Sequence, residues 1–176
     1  MRDQVFRSIT HLPRPRAEVF AFFSDPANLE RLTPPWLSFR ILTPEPLPRG
    51  EGAVYDYTLR VRGLPLRWRT LILHWEEGHR FEDLQTRGPY AKWHHVHRFE
   101  DAPGGGTRMT DEVHWRLPFG WLGRLAAPLV ARDVRRIFTY REEVLKGHFQ
   151  EPAQPTGSPA SASSDLDGAP APRMAP

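Results

Sequence analysis

Apolar and polar side chains alternate along much of the chain, and this alternation predicts a sheet. Successive side chains of a strand point to opposite faces, so a period of two gives each strand one apolar face. In the stretch YDYTLRV, for example, Tyr55, Tyr57 and Leu59 alternate with polar residues. Gly- and Pro-containing turns separate the alternating stretches. The predicted strands are residues 3–11, 36–43, 53–61, 66–75, the two arms of 81–99, and 107–116.

Apolar residues three and four positions apart predict helices in two parts of the chain. Residues 17–24 have this spacing, and Asp25 followed by proline then suits the start of a second short helix over 26–32. Near the C-terminus the same spacing runs over residues 119–148, where Pro128 would kink or split the helix. The order of elements predicts an α+β protein whose antiparallel sheet is covered on one face by a long helix.

Composition sets the limits of the folded part. Residues 150–176 are rich in Pro, Ala, Ser and Gly and include no aromatic residue. Such a segment cannot bury enough apolar surface to offset the entropy of ordering. We therefore predict one domain over residues 1–149, which is long enough for a single core, followed by a disordered tail over 150–176.

Several classes of protein are disfavoured by what the sequence lacks. It has no cysteine, which excludes disulfides and thiolate chemistry and fits a reducing compartment. It has no apolar run of signal-peptide or membrane-spanning type, so we expect a soluble cytoplasmic protein without stable membrane insertion. The net charge is +3, but the basic residues are scattered among acidic ones, so we expect no nucleic-acid partner. Nucleophile-elbow and nucleotide-binding motifs are also missing.

The hairpin FEDLQTRGPYAKWHHVHRF, residues 81–99, has an unusual mixture on one face. Large aromatic and ionisable side chains recur there at every second position. Burying an ionisable group unpaired costs about 1–3 kcal/mol, so a plain core would exclude such groups. A ligand cavity with a few polar groups in its wall needs this mixture. The residues predicted to share the face are Phe81, Asp83, Gln85, Trp93, His95, His97 and Phe99.

Strand pairing across the hairpin predicts which of these side chains meet. If the turn centres near Pro89, Asp83 lies opposite His95, and Gln85 lies opposite Trp93. A shift of one residue would move every side chain to the other face, so the pairing depends on this register. The sequence thus predicts a first Asp–His pair on the aromatic face.

The next turn predicts a second pair. If it centres near Gly104, His97 lies opposite Asp111, and Trp93 lies opposite Trp115. Two neighbouring Asp–His pairs would then lie on one aromatic face. We expect this face to form the polar floor of a cavity.

Three interpretations of the histidines remain open. The Asp–His network holds the sheet together, it anchors a polar head group, or an aspartate tunes a histidine for acid–base catalysis. A zinc site on His95, His97 and either Asp83 or Asp111 is disfavoured for two reasons. His94 points to the opposite face, and the remaining histidines and aspartates can form hydrogen-bonded pairs without a metal. We therefore predict no metal and no cofactor.

The chain resembles the START-like superfamily, also called SRPBCC or Bet v 1-like. Within it, the resemblance is to a bacterial SRPBCC subgroup of the polyketide cyclase/dehydrase and lipid-transport clan. It runs in order over about residues 3–149. The segments that carry it are PRPRAEVFAFFSDPANLERLTPPWLSFRI, RGLPLRWRTLI, FEDLQTRGPYAKWHHVHRF, GTRMTDEVHWRLPFG and IFTYREEVL.

The resemblance implies a helix-grip fold, in which a curved antiparallel sheet wraps around the long C-terminal helix and two short helices follow the first strand. A hydrophobic ligand cavity lies between sheet and helix in such proteins. We therefore predict binding of an apolar or amphipathic small molecule, with transport or sensing as its use. The alternatives are a cyclase/dehydratase-like enzyme using His95 or His97, and a protein-interaction module. The predicted ligand-binding residues are Tyr57, Trp68, Asp83, Gln85, Trp93, His95, His97, Asp111 and Trp115.

Two further expectations concern the long helix. The segment LPFGWLGRLAAPLV, which contains Trp121 and Leu122, is expected to pack into the core rather than to act as a gate or touch a membrane. Arg141 is expected to form a salt bridge on an exposed face.

Overall fold

The computed structural model describes residues 3–150, and the tail predicted over 150–176 lies outside this range except for its first residue. Short 3₁₀ turns over Pro26–Asn28 and Pro35–Leu37 flank the second helix. The strands and helices are β1 (Gln4–Leu12), α1 (Arg16–Ser24), α2 (Leu29–Leu32), β2 (Arg40–Ile41), β3 (Val54–Val61), β4 (Leu64–Glu76), β5 (Arg80–Arg87), β6 (Lys92–Asp101), β7 (Thr107–Arg116) and α3 (Gly120–Gln150).

The seven strands form one antiparallel sheet in the order β1-β7-β6-β5-β4-β3-β2. The first strand therefore pairs with the last, and the remaining strands follow one another as hairpins. With a long C-terminal helix and short helices after the first strand, this is the helix-grip fold that the sequence predicted.

The structure confirms three of the four residue pairings predicted for the central hairpins. Asp83 lies opposite His95 on β5 and β6, while His97 lies opposite Asp111 and Trp93 opposite Trp115 on β6 and β7. The β5–β6 ladder ends at the pair of Leu84 and His94, so Gln85 and Trp93 are not a ladder pair.

One predicted strand was wrong, and one of the two effects predicted for Pro128 does not occur. The strand predicted over residues 36–43 is reduced to β2, because Trp36 lies in a 3₁₀ turn that begins after Pro34. Ser38 ends this turn with a positive φ of 45°, which takes the chain out of extended geometry. Pro128 does not split the last helix, since α3 runs through it.

The main core lies between α1, the inner face of the sheet and the C-terminal half of α3. Phe20 of α1 contacts Phe81 and Phe99 edge-on, with ring centroids 6.0 and 5.3 Å apart. Leu145 and Phe149 of α3 complete this cluster. A second cluster joins Val113 and Trp115 of β7 to Val134 and Phe138 of α3. The two clusters hold α3 across the inner face of the sheet.

The beginning of α3 does not enter the core, contrary to the expectation for LPFGWLGRLAAPLV. Trp121 is 69% exposed and Leu125 is 72% exposed, and Phe119 just before the helix is 80% exposed. Gly123 is the buried residue of this first part of the helix. Among residues 3–150, none of the helices combines the length and apolar character that crossing a membrane requires.

Candidate ligand-binding site

A cavity of about 560 Å³ lies between the inner face of the sheet and α3. Its wall comes from β3, β4, β5, β6, the middle of α3 and the segment that contains the two short helices. The sheet contributes a floor, because each strand turns alternate residues toward α3. The volume falls within the range of about 300–1,000 Å³ that is typical of small-molecule sites.

Aromatic side chains form one wall of the cavity. Tyr57 stacks on Trp68 with ring centroids 6.0 Å apart, and Trp68 meets Trp93 edge-on at 5.4 Å. The polar atoms of Tyr57 and Trp68 are satisfied internally: the Tyr57 hydroxyl lies 2.9 Å from Thr70 Oγ1, and Trp68 Nε1 donates to the same oxygen at 3.1 Å. The wall is therefore apolar toward the cavity although it contains tyrosine and tryptophan.

The two histidines of β6 lie between the same two carboxylates. His95 places Nε2 at 2.8 Å from Asp111 Oδ1 and Nδ1 at 3.4 Å from Asp83 Oδ2. His97 places Nδ1 at 2.8 Å from Asp111 Oδ1 and Nε2 at 3.3 Å from Asp83 Oδ2. The His97 Nδ1 contact lacks the alignment of a hydrogen bond. Four side chains thus form a closed ring rather than the two separate pairs that the sequence predicted.

Burial and charge give the members of this ring different protonation tendencies. Burial by itself would raise the pKa of Asp111, but contacts with His95 and His97 outweigh burial and lower that pKa. For Asp83, burial is the largest single cause and would raise the pKa. The neighbouring His97, His95 and Arg141 together outweigh burial, so the pKa of Asp83 is lowered. For His97, the two carboxylates outweigh burial and raise the pKa. For His95, burial and the neighbouring His97 lower the pKa. These directions favour the ionised form of both carboxylates and make His97 the more basic of the two histidines.

The nine predicted site residues fall into two groups. Six of them line the cavity: Tyr57, Trp68, Asp83, Trp93, His95 and His97. The other three do not. Asp111 lies behind the histidines, and Trp115 is buried in the core beside Val113. Gln85 is used in the hairpin turn, where its amide donates to the Tyr90 carbonyl at 2.8 Å and accepts from the Tyr90 N–H at 3.3 Å.

Gly88 permits the turn that Gln85 stabilises. A side-chain carbon at Gly88 would overlap the amide group of Gln85. The turn holds Tyr90 against Trp93, with ring centroids 4.8 Å apart, and burial raises the pKa of Tyr90 to about 12. Tyr90 therefore lines the cavity as a neutral phenol.

Arg141 of α3 lines the cavity, although the sequence analysis assigned it to an exposed face. It was expected in a salt bridge there, yet within residues 3–150 no carboxylate lies within salt-bridge distance of it. Its Nε is buried without a hydrogen-bond partner, and its guanidinium lies 5.1 Å from the centre of the Phe138 ring. Because Arg141 contributes to lowering the pKa of Asp83, the two groups share the polar end of the cavity. On α3, Arg141 continues the series Val134, Phe138 and Leu145 at steps of four, three and four residues, and only this series could have indicated its orientation.

An ion pair links the two sides of the cavity wall. Arg62, in the turn between β3 and β4, donates to both carboxylate oxygens of Asp133 on α3, at 3.1 and 3.0 Å. Both residues line the cavity, and both side chains are partly exposed. This pair therefore marks a place where the wall meets solvent.

A family model, described as polyketide cyclase / dehydrase and lipid transport, matches residues 4–150. The chain belongs to this family. The match spans every element of the sheet and α3, and the resemblance to the START-like superfamily is confirmed. A comparison with curated proteins finds no match.

Solved structures of this fold are similar to the chain along nearly its whole described length. One is the ZhuI aromatase/cyclase from Streptomyces sp. R1128, which is 14% identical with a TM-score of 0.69; the alignment covers 88% of this chain and 98% of that one. Another is the protein TTHA0849 from Thermus thermophilus, 18% identical with a TM-score of 0.64, covering 82% and 99%. A START superfamily protein from Mycobacterium smegmatis is 11% identical with a TM-score of 0.63, covering 83% and 97%. At these identities the likeness establishes the fold.

Proposed function

We propose that the protein binds an amphipathic small molecule in the cavity between the sheet and α3. The observation that carries the proposal is the composition of the cavity wall: an aromatic region around Trp68 and a polar end at Asp83, His95, His97 and Arg141. A purely structural core would fill this space with side chains, since protein interiors are close-packed. The protein would use bound ligand for transport or sensing.

The two ends of the cavity suggest the orientation of the ligand. An apolar body gains most by contact with the aromatic rings of Trp68 and Trp93, which line this end of the cavity. A polar head group gains most beside Arg141, because the buried Nε of that residue lacks a partner among residues 3–150 and can donate to an oxygen. The proposed ligand is therefore apolar at one end and carries an oxygen acceptor at the other.

Binding of the fluorescent probe anilinonaphthalene sulfonate to two matched variants tests this proposal. Val130 lines the cavity, whereas the adjacent Leu129 is 47% exposed and does not. Val130→Trp fills space in the cavity and is expected to weaken probe binding by about tenfold or more, equivalent to ~1.4 kcal/mol. Leu129→Trp is expected to leave the affinity unchanged. Equal affinities for both variants would show that the probe binds elsewhere, and the cavity proposal would then fail.

Native mass spectrometry of the purified protein provides a second measurement. A bound small molecule that is present in the wild type and missing in Val130→Trp supports the proposal. Recovery of the same molecule from both would contradict it. Organic extraction of the wild type then identifies the ligand class.

A second candidate function is acid–base catalysis on the bound molecule. It is favoured by one observation, that His95 and His97 both line the cavity and differ in the direction of their pKa shifts. The extracted molecule, incubated with fresh wild type and with His97→Gln, would change mass or isomeric form only with the wild type. An unchanged molecule in both reactions would exclude catalysis on that ligand.

A further inference from the structure

The ring of histidines and aspartates has a feature that its hydrogen bonds do not explain. The two contacts to Asp111 are 2.8 Å, which is a normal hydrogen-bonding distance, although only the contact from His95 Nε2 has hydrogen-bond alignment. The two contacts to Asp83 Oδ2 are 3.4 Å from His95 Nδ1 and 3.3 Å from His97 Nε2, longer than the usual range of about 2.7–3.2 Å. The Asp83 side of the ring is therefore more open than the Asp111 side.

We propose that His95, His97 and Asp83 form a site for a divalent transition metal ion, with Zn²⁺ as the ion that suits this ligand set. Zinc bonds of about 2.0–2.2 Å in tetrahedral geometry separate neighbouring ligand atoms by about 3.3–3.5 Å. The distances from Asp83 Oδ2 to the two ring nitrogens have these values. The three donor atoms also lie within 4.8 Å of one another.

Asp111 orients both histidines for this role. Metal-binding histidines commonly direct their second ring nitrogen to a carboxylate, which fixes the tautomer and leaves the other nitrogen's lone pair for the metal. Asp111 Oδ1 is hydrogen-bonded to His95 Nε2 at 2.8 Å and lies 2.8 Å from His97 Nδ1 without hydrogen-bond alignment, so one carboxylate orients the first ring by a hydrogen bond and the second by charge. Metal binding would require His97 to release any proton on its ligating nitrogen, and Asp83 and Asp111 would then together match the charge of the dication.

The site would be open toward the cavity. The three metal-binding side chains line the cavity, while Asp111 lies behind them. Three protein ligands leave a fourth tetrahedral position, as in zinc sites that bind a further molecule. That position would accept water or an oxygen atom of a cavity ligand. From the sequence, zinc was disfavoured because His94 points to the other face and because the histidines and aspartates could pair with one another without a metal.

Co²⁺ titration of metal-free protein, prepared with a chelator, tests the proposal directly. Tetrahedral Co²⁺ has a strong visible absorption, and Zn²⁺ added afterwards displaces it. We expect saturation at one ion per chain for the wild type. Asp83→Asn is expected to abolish the absorption, and Asp111→Asn to weaken binding by about 10–100-fold.

A matched control lies on the opposite face of the same strands. His94 and Glu82 form a pair at 2.6 Å on the outer face, away from the cavity. His94→Gln is expected to leave Co²⁺ binding unchanged. A wild type that does not bind Co²⁺, or a His94→Gln variant that loses binding together with Asp83→Asn, would overturn the proposal.

Arg141 supplies a second discriminating variant. It is a positive neighbour of Asp83, so Arg141→Met is expected to keep or raise the affinity for a dication, and a reduced affinity would contradict the site.

If the inner-face variants fail to fold, nitrogen-15 NMR of the wild type replaces them. Zn²⁺ should shift the ring nitrogens of His95 and His97 but not those of His94 and His114, and the reverse pattern would refute the assignment. Binding of the fluorescent probe to metal-free protein is measured separately, so failure of the metal site leaves the cavity proposal intact.

Discussion

At the scale of single residues, the buried carboxylate of Asp111 determines the arrangement of the inner face. Its side chain is nearly inaccessible, and its Oδ1 lies 2.8 Å from a ring nitrogen of each histidine of β6. Contact with the histidines lowers the pKa of Asp111 in spite of its burial, so the residue is ionised in the folded protein. A buried charge that loses its partner is costly, and this dependence makes the network sensitive to single substitutions.

Asp111→Asn is therefore expected to destabilise the fold by about 3 kcal/mol or more, because it removes the more deeply buried of the two carboxylates that pair with His95 and His97. Urea unfolding followed by far-UV circular dichroism measures the loss. Glu112→Gln is the matched control at the next position, where the carboxylate faces outward and pairs with His114 at 2.7 Å. That change should cost less than about 1 kcal/mol. Similar losses in both variants would contradict the special role of Asp111.

Asp56 provides a residue-scale prediction about pH. Its carboxylate accepts two hydrogen bonds from Arg69, at 2.8 and 2.7 Å, and these lower the pKa of Asp56 from its ordinary value of 3.8. Because the folded pKa lies below the unfolded one, the stabilisation is present above the unfolded pKa and is lost as pH falls through the folded pKa. Carbon-13 NMR titration should show a depressed midpoint that moves up toward 3.8 in Arg69→Gln. No movement in that variant would mean that Arg69 is not the cause.

At the scale of elements, α3 combines two different environments along one helix. Its second half is buried against the sheet through Val134, Phe138 and Leu145, whereas its first turns expose Trp121 and Leu125. The helical spacing of apolar residues is similar in both halves, so the sequence pattern predicted burial throughout. The difference is one of packing: Val134, Phe138 and Leu145 belong to the two core clusters formed with the sheet, whereas Trp121 and Leu125 belong to neither.

Two leucines of α3 test this description. Leu145 is 1% exposed and Leu125 is 72% exposed. Leu145→Ala is expected to reduce the free energy of unfolding by about 2–5 kcal/mol, since it removes buried methyl groups and leaves a cavity. Leu125→Ala should change it by less than about 0.5 kcal/mol. Denaturant unfolding of both variants measures these changes in the free energy of unfolding. A comparable loss of stability in Leu125→Ala would show that the start of α3 packs into the core.

The ion pair between Arg62 and Asp133 connects the β3–β4 turn to α3 beside the cavity. Arg62→Gln is expected to speed both association and dissociation of the fluorescent probe, because it releases one link across the wall. Stability should change by less than about 1 kcal/mol, as is usual for exposed pairs. Stopped-flow fluorescence measures the rates, with Arg60→Gln, an exposed arginine two positions earlier, as control. Unchanged rates for Arg62→Gln, or equal acceleration in Arg60→Gln, would show that this pair does not limit entry.

At the scale of the whole molecule, the cavity couples ligand binding to folding, because sheet and α3 form its wall only when packed together. A ligand that binds the folded state alone stabilises it by about 2.7 kcal/mol at a concentration one hundred times its Kd. The probe is therefore expected to raise the melting temperature of the wild type in a concentration-dependent way and to have a smaller effect on Val130→Trp. Differential scanning calorimetry makes the comparison, and equal shifts in both proteins would argue against binding in the cavity.

The sequence by itself determined the element order, the inner face of each central strand and the opposition of Asp83 to His95 and of His97 to Asp111. These features follow from local rules, since a strand alternates its side chains and a short turn sets the register. The tail and the cellular location stay predictions.

Only the tertiary structure decided that both histidines share the same two carboxylates, that Gln85 serves the turn, and that Arg141 lines the cavity. The physical reason is that these contacts depend on distances of a few tenths of an ångström, on ring orientation and on which neighbouring elements cover a face. Alternation and spacing assign a residue to a side of a strand or helix, but they do not say which atoms on that side come within hydrogen-bonding or metal-binding distance.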